Sequence, residues 1–328
     1  MKKKYVRWTL WTIASPFILF IILCILIYLP PIQNFLVDKA AVYASEATGM
    51  NISVGRISLS FPLNLVVTNV DAASPHNDTL LSVRRLQVNV QLLPLLKKQV
   101  EVDGISLQGA TVNSNDLIHG MKLNGTLGEL FISSHGVALD PETAIVNKVL
   151  LKDTDLSLCL NDTAAADTAA SDTTYWKIIL QDIDLQNVSF ALDMPLDSLS
   201  LAASLDNAIL RDGLIDLHKS AYSLQTFRIK NGRVRYDSGK PLAADSLPSG
   251  LDPSHIALTD IGVKLDSLYY GGRNMKAIIS QFVLKERSGV EIVSATGRMV
   301  SNDKVLRVPS LKLETRDSYL ELNAAMDW

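Results

Sequence analysis

Histidine, cysteine and carboxylate side chains carry most acid–base, nucleophilic and metal chemistry in proteins, and their spacing decides whether they can act together. The chain has five histidines, His76, His119, His135, His218 and His255, scattered through polar or turn-like sequence. None has a partner at metal-ligand spacing, and neither CxxC nor HExxH occurs. The carboxylates mostly punctuate strand-like segments, as at Asp103, Asp184, Asp193, Asp206 and Asp266, where a solvated face or a turn accounts for them. GxSxG, GxxxxGK[ST] and GxGxxG are missing. No reacting group is given an activator, so the reading is of a protein that is not an enzyme and that needs no cofactor or metal. Asn-x-Ser/Thr sequons at Asn51, Asn77, Asn124, Asn161 and Asn187 matter only in a host that glycosylates them. Asp-Ser/Thr-apolar triplets, such as those at Asp78, Asp162 and Asp167, read as ordinary turn chemistry.

The bulk composition narrows the class further. Of 328 residues, 48% are apolar, which excludes general disorder, and the net charge of −3 with no basic stripe after residue 8 excludes nucleic acid as a partner. The two cysteines form no disulfide framework, because Cys24 sits inside an apolar run that keeps it from Cys159. That run, Trp8 to Leu29, is uncharged and follows Lys2, Lys3, Lys4 and Arg7. As a helix it would be ~33 Å long, enough to cross a hydrocarbon core of ~30 Å. Its basic flank predicts a cytoplasmic N-terminus (residues 1–7), and Trp8, Trp11, Phe17, Phe20 and Tyr28 anchor it, the Trp and Tyr rings near its two ends. The run is too long, and too far from a small-residue cleavage site, for a removed signal peptide. Residues 30–49 follow as a juxtamembrane helix, with Ile32, Phe35, Leu36, Lys39, Ala40, Tyr43 and Ala47 at helical spacing and Gly49 as its stop. Its docking is open between the outer leaflet and the end of the next domain.

From Asn51 the dominant period is two. Leu86, Val88, Val90 and Leu92 alternate with Gln87, Asn89 and Gln91; Ile105-Ser-Leu107, Ile183-Asp-Leu185, Phe227-Arg-Ile229 and Val263-Lys-Leu265 repeat the habit. Each segment therefore has one apolar and one polar face, which favours antiparallel strands. An apolar residue, any residue, then Asn, Asp or Gly, two residues, and an apolar residue recur at Leu107–Val112, Leu151–Leu156, Leu185–Phe190, Ile229–Val234 and Leu258–Val263. The middle residue tolerates turns or bulges, so each copy predicts two strands meeting at a tight bend in a loosely repeating, elongated sheet. Asp140-Pro141-Glu142 predicts a short helix to about Leu150, while 161–174 and 237–255 predict loops. A sheet with one apolar face must cover it. Either a closed sandwich filled by its own side chains or a trough left free for a guest satisfies that requirement.

The first third of the chain resembles a known family. After the apolar helix come Thr48-Gly49-Met-Asn-Ile52-Ser-Val54-Gly55-Arg-Ile57-Ser-Leu59, then Leu65–Val70, Leu86–Val90 with Leu93-Pro94-Leu-Leu96, and Val100–Val112. This order, over about residues 1–115, is similar to the start of the AsmA-like family, and within it to the TamB branch. The resemblance implies a single-pass inner-membrane protein with a periplasmic body (residues 50–328) folded mainly as β: an elongated, twisted, mostly antiparallel sheet curled into a groove, with few short helices. In such a groove the alternation makes Leu86, Val88, Val90, Leu92, Ile105, Leu107, Ile183, Leu185, Phe227, Ile229, Val263 and Leu265 the expected lining. Membrane phospholipid is the implied cargo and an outer-membrane β-barrel of the TamA kind the implied partner. Family members are usually far longer than this chain. Strand pairing with barrel proteins under assembly, and a purely structural envelope role, are the alternatives.

Overall fold

A computed structural model describes residues 30–60, 64–75, 78–91, 102–114, 120–138, 142–161, 176–239, 250–272 and 274–327. One helix, α1 (Pro30–Thr48), opens the described chain. Proline at its first positions costs no hydrogen bond there, and Gly49 closes it with φ +70°, a conformation that costs glycine nothing. The predicted membrane span, with Trp8, Trp11, Phe17, Phe20 and Tyr28, lies outside the described residues, and no described helix is long and apolar enough to cross a membrane.

Among the described residues, everything else of regular length is strand. The order is β1 (Asn51–Ser60), β2 (Asn64–Ala73), β3 (Thr79–Val90), β4 (Val102–Asn113), β5 (Met121–Ala138), β6 (Thr143–Leu160), β7 (Lys177–Met194) and β8 (Leu199–Asp216). There follow β9 (Ala221–Leu224), β10 (Thr226–Ser238), β11 (His255–Gly271), β12 (Asn274–Glu286), β13 (Glu291–Ser301), β14 (Val305–Thr315) and β15 (Tyr319–Asp327). They form one sheet in chain order, with β9 and β10 sharing a single position between β8 and β11. Every pairing is antiparallel except β6 with β7, which is parallel. Of the predicted loop 161–174, all but Asn161 lies outside the described residues. Predicted loop 237–255 is shorter than expected, because β10 runs to Ser238 and β11 starts at His255.

The expected helix after Asp140 is a strand instead. Thr143 to Leu160 pairs with β5 on one side and β7 on the other, so two ladders of backbone hydrogen bonds outweigh a local start signal. Glu142, the predicted first-turn residue, accepts a backbone hydrogen bond from Lys177.

The repeated motif is also corrected. Each copy lies inside one continuous strand rather than at a junction of two. Its middle residue takes a left-handed backbone: φ is +61° at Gly109, +48° at Asp153, +51° at Asn187, +52° at Asn231 and +53° at Asp260. Asn69, at φ +53° in β2, is a further copy. Glycine, Asn and Asp are the residues that reach this region at least cost. These kinks align across the sheet. Asp153 stands beside Asn187 in the parallel pair, since Lys152 pairs with Gln186 and Thr154 with Val188. Asn187 faces Asp206, and Asp206 faces Asn231. The spacing of the motif follows: 34 residues is one parallel step from Leu151 to Leu185, and 44 residues is two antiparallel steps, from Leu107 through Leu130 to Leu151.

The kink inserts one position into the alternation, also in strands whose own residues keep ordinary backbone. In β1 the less accessible residues are Ile52 and Val54, then Ile57 and Leu59, with Gly55 and Arg56 both exposed between them. β14 repeats this around Pro309-Ser310, with Leu306 and Val308 on one side and Leu311 and Leu313 on the other. The shift thus keeps apolar side chains on one face through the kink. Gly128 lies opposite Asp153 because a Cβ there would stand 2.8 Å from the Asp153 Cβ.

Candidate apolar site

The register converts separate alternating segments into two continuous rows, since residues paired across neighbouring strands project from the same face. Row A runs Ile57, Val67, Leu86, Leu107, Leu130 and Leu151 from β1 to β6. It continues through Leu185, Ala208, Ile229 and Val263 to Phe282, Ala295, Leu313 and Leu320. Row B lies beside it, nearer the other end of the strands. Leu59, Leu65, Val88, Ile105, Ile132 and Val149 lead to Ile183, Leu210, Phe227 and Leu265. Ile279, Gly297, Leu311 and Leu322 complete it. No polar side chain interrupts either row from β1 to β15. At about 4.8 Å per strand spacing, thirteen steps span ~60 Å along the sheet.

Ten of the twelve sequence-predicted lining residues belong to these rows. Leu86, Leu107, Leu185, Ile229 and Val263 fall in row A; Val88, Ile105, Ile183, Phe227 and Leu265 fall in row B. Val90 pairs with Val102 one step beyond row B, after a register shift, and Leu92 lies outside the described residues. Sequence reading missed Leu130, Ile132, Val149, Leu151, Leu210 and Phe282 as members, although they pair directly with named ones. Their alternation is masked by apolar neighbours, as in Val149-Leu150-Leu151, and only the register separates the faces.

The rows are poorly covered. Among the described residues, strands pack on their hydrogen-bonded neighbours and α1 packs on β1, and no helix or second sheet is laid across either face. Among the described residues no large side chain is sealed from solvent, and the buried apolar residues are few and mostly small, with Val67, Ala208 and Ala295 of row A among them. In row B Ile105 stays 37% exposed, and Phe190, outside the rows, 38%. A filled core would bury residues of this kind almost completely. A hollow of about 410 Å³ lies over β6 to β11, bordered by Leu156, Phe190, Ala203, Val234 and Leu258.

The residues between the rows project from the opposite face; Val66, Phe131, Leu150 and Ile209 are apolar there, and the rest are polar and form a lattice with their neighbours on that face. Asn207 Nδ2 donates to Asp184 Oδ1 at 3.1 Å, and Gln186 Nε2 donates to Asp184 Oδ2 at 3.2 Å. Arg211 pairs with Asp182 and donates to the Ile183 carbonyl at 3.1 Å. Gln87 Nε2 donates to Asn89 Oδ1 at 3.1 Å. The kink residues add to this lattice, Asn187 Nδ2 donating to Asp153 Oδ1 at 2.9 Å and Lys285 pairing with Asp260 at 3.1 Å. Three of the sequons, at Asn51, Asn124 and Asn187, lie within strands.

His255 Nδ1 lies 2.9 Å from Asp252 Oδ2, an arrangement that fastens the turn entering β11, and hydrogen bonding to His255 lowers the Asp252 pKa. The Cys159 Sγ–H donates to Asn161 Oδ1 at 3.3 Å. Among the described residues no group of three His, Cys, Asp or Glu side chains is placed to hold a metal. Compared with known families and with curated proteins, the chain matches no family model and no curated sequence.

Proposed function

We propose that this protein is a non-catalytic, inner-membrane-anchored periplasmic conduit that carries phospholipid toward the outer membrane, its acyl chains lying along rows A and B. The observation that carries this reading is the pair of uninterrupted apolar rows, running the width of the sheet and left half-open. The left-handed line through Gly109, Asp153, Asn187 and Asn231 favours a sheet curled around the rows, since such insertions bend strands and deepen their twist. Acyl chains in that trough would gain roughly 0.8 kcal/mol per methylene removed from water. The polar lattice behind keeps the outer surface in solvent. The AsmA-like order of residues at the N-terminal third points the same way.

The test is site-specific photo-crosslinking in cells. Probes at Leu151 and Leu185 in row A should capture phospholipid, and probes at Lys152 and Gln186, their neighbours on the other face, should not. Equal capture at both pairs would overturn the conduit. A second reading, strand pairing with outer-membrane barrel proteins of the TamA kind, is favoured by β15, whose Tyr319, Leu320 and Met326 are 60%, 48% and 54% exposed. Protein adducts from β15 without lipid adducts from row A would support it.

A further inference from the structure

Helix α1 has two faces of different character. Gln33 is buried and Ala41, Ala44 and Ser45 are half-buried. These residues lie within an arc of about 120° at ~100° per residue, the arc turned toward β1. Two side-chain bonds fix that orientation. Gln33 Nε2 donates to the Leu59 carbonyl at 3.2 Å, and Ser45 Oγ accepts from the Ile52 N–H at 3.0 Å. One bond is near each end of the helix, so α1 cannot roll on the edge of the sheet without losing both. The opposite arc holds Phe35, Lys39, Val42, Tyr43 and Glu46, and there Phe35 is 60%, Val42 54% and Tyr43 75% exposed. Lys39 Nζ sits 5.9 Å from the Phe35 ring.

The chain order says what lies nearby. The uncharged run Trp8–Leu29 ends at the residue before Pro30, where α1 begins, and no spacer separates them. A residue before proline is biased away from helical backbone, so the sequence favours a bend between the run and α1. We infer that the stripe Phe35, Val42 and Tyr43 lies in the headgroup layer of the bilayer that holds the preceding run, with Lys39 directed to lipid phosphate. Aromatic rings prefer that layer, and an ammonium on a flexible stem reaches its phosphates. This inference rests on the membrane-anchored reading and deepens it. With α1 flat on the membrane, β1 stands one helix diameter above it, ~10 Å. Ile57 and Leu59, where rows A and B begin, are then the row residues closest to the lipid source.

The experiment uses the full chain, with Cys24 and Cys159 replaced by serine, in vesicles of phosphatidylethanolamine and phosphatidylglycerol containing shallow spin-labelled lipid. An environment-sensitive fluorophore is attached to V42C, to Y43C, or to T111C on β4, whose native threonine is exposed. Quenching at 42 and 43 should exceed that at 111 by at least threefold. Equal quenching at the three sites overturns the inference, as does failure of the chain to float with vesicles. Phospholipid crosslinking at Leu151 is scored in parallel. Quenching without crosslinks keeps the membrane face of α1 and removes the conduit; crosslinks without quenching do the reverse.

Discussion

Along β1, the outward backbone groups of the sheet meet a helix: Gln33 and Ser45 bond Leu59 and Ile52, seven residues apart. Along β15, at the other edge, eight of the nine residues are exposed, and among the described residues only β14 lies against the strand. Open strand edges invite further pairing, so the two edges have different consequences. Rows A and B reach both, beginning at Ile57 and Leu59 and ending at Leu320 and Leu322. The contacts of α1 also report on the backbone. Residues seven apart in a regular strand point their backbone groups to opposite sides, and Ile52 and Leu59 point to the same side because the kink at Gly55 absorbs one position.

The largest expected effect comes from interrupting the rows midway between the edges. Leu151 and Leu185 are paired neighbours in the parallel step, and the double variant Leu151→Asp, Leu185→Asp places two charges there. Lipid crosslinking at Leu313, on the β15 side, should fall at least tenfold while that at Leu86, on the β1 side, persists. Equal loss on both sides would mean that the rows are not travelled from β1 outward.

Smaller effects separate kinks from edges. Gly128→Val should cost about 3 kcal/mol, since its Cβ would press on the Asp153 Cβ and on the Lys152 carbonyl at 2.9 Å. Chemical denaturation measures it. Asp153→Val should lose about 1–2 kcal/mol through the left-handed backbone, while Asp153→Gly should be nearly neutral. At the covered edge, Gln33→Ala with Ser45→Ala should cost about 1–2 kcal/mol in the same measurement. At the bare edge, Leu320→Lys with Leu322→Lys should change stability by no more than about 0.5 kcal/mol, and any strand-mediated self-association seen by sedimentation should vanish.

Glu286, the last residue of β12, provides a reference away from both edges. Burial raises its pKa, but hydrogen bonds from Ser288, Ala257 and Arg287 outweigh that and hold the carboxyl below its ordinary value. A carboxylate with a lowered folded pKa stabilises above its unfolded pKa, and that contribution is lost as pH falls through the lowered one. Glu286→Gln should therefore cost about 1 kcal/mol at neutral pH, and the difference from the parent protein should shrink on acidification in thermal melts.

Much of this was readable in the chain. The period of two located most strands, and the Asn, Asp and Gly motif located the kinks. What the motif does was misread, because a residue that tolerates left-handed backbone serves a turn between strands or a kink within one, and only pairing distinguishes them. The copy at Val67-Thr-Asn69 escaped notice because its final apolar member, Ala72, is small. Asp140-Pro141-Glu142 carries a sound helix start, yet the β-branched Thr143, Ile145, Val146 and Val149 suit a strand well enough for two neighbouring ladders to claim the segment. Row membership was legible for Leu86 or Ile183, whose neighbours are polar, and hidden for Leu130 and Val149, whose neighbours Phe131 and Leu150 are apolar too. The docking of α1 rests on Gln33 and Ser45, polar residues that no periodicity selects.

Native mass spectrometry of the full chain, released gently from detergent, tests the central claim most directly. The account predicts copies carrying one or more phospholipids, and a Leu151→Asp, Leu185→Asp variant that retains markedly fewer. Bare polypeptide mass in both proteins, or equal lipid retention by the variant, would contradict it.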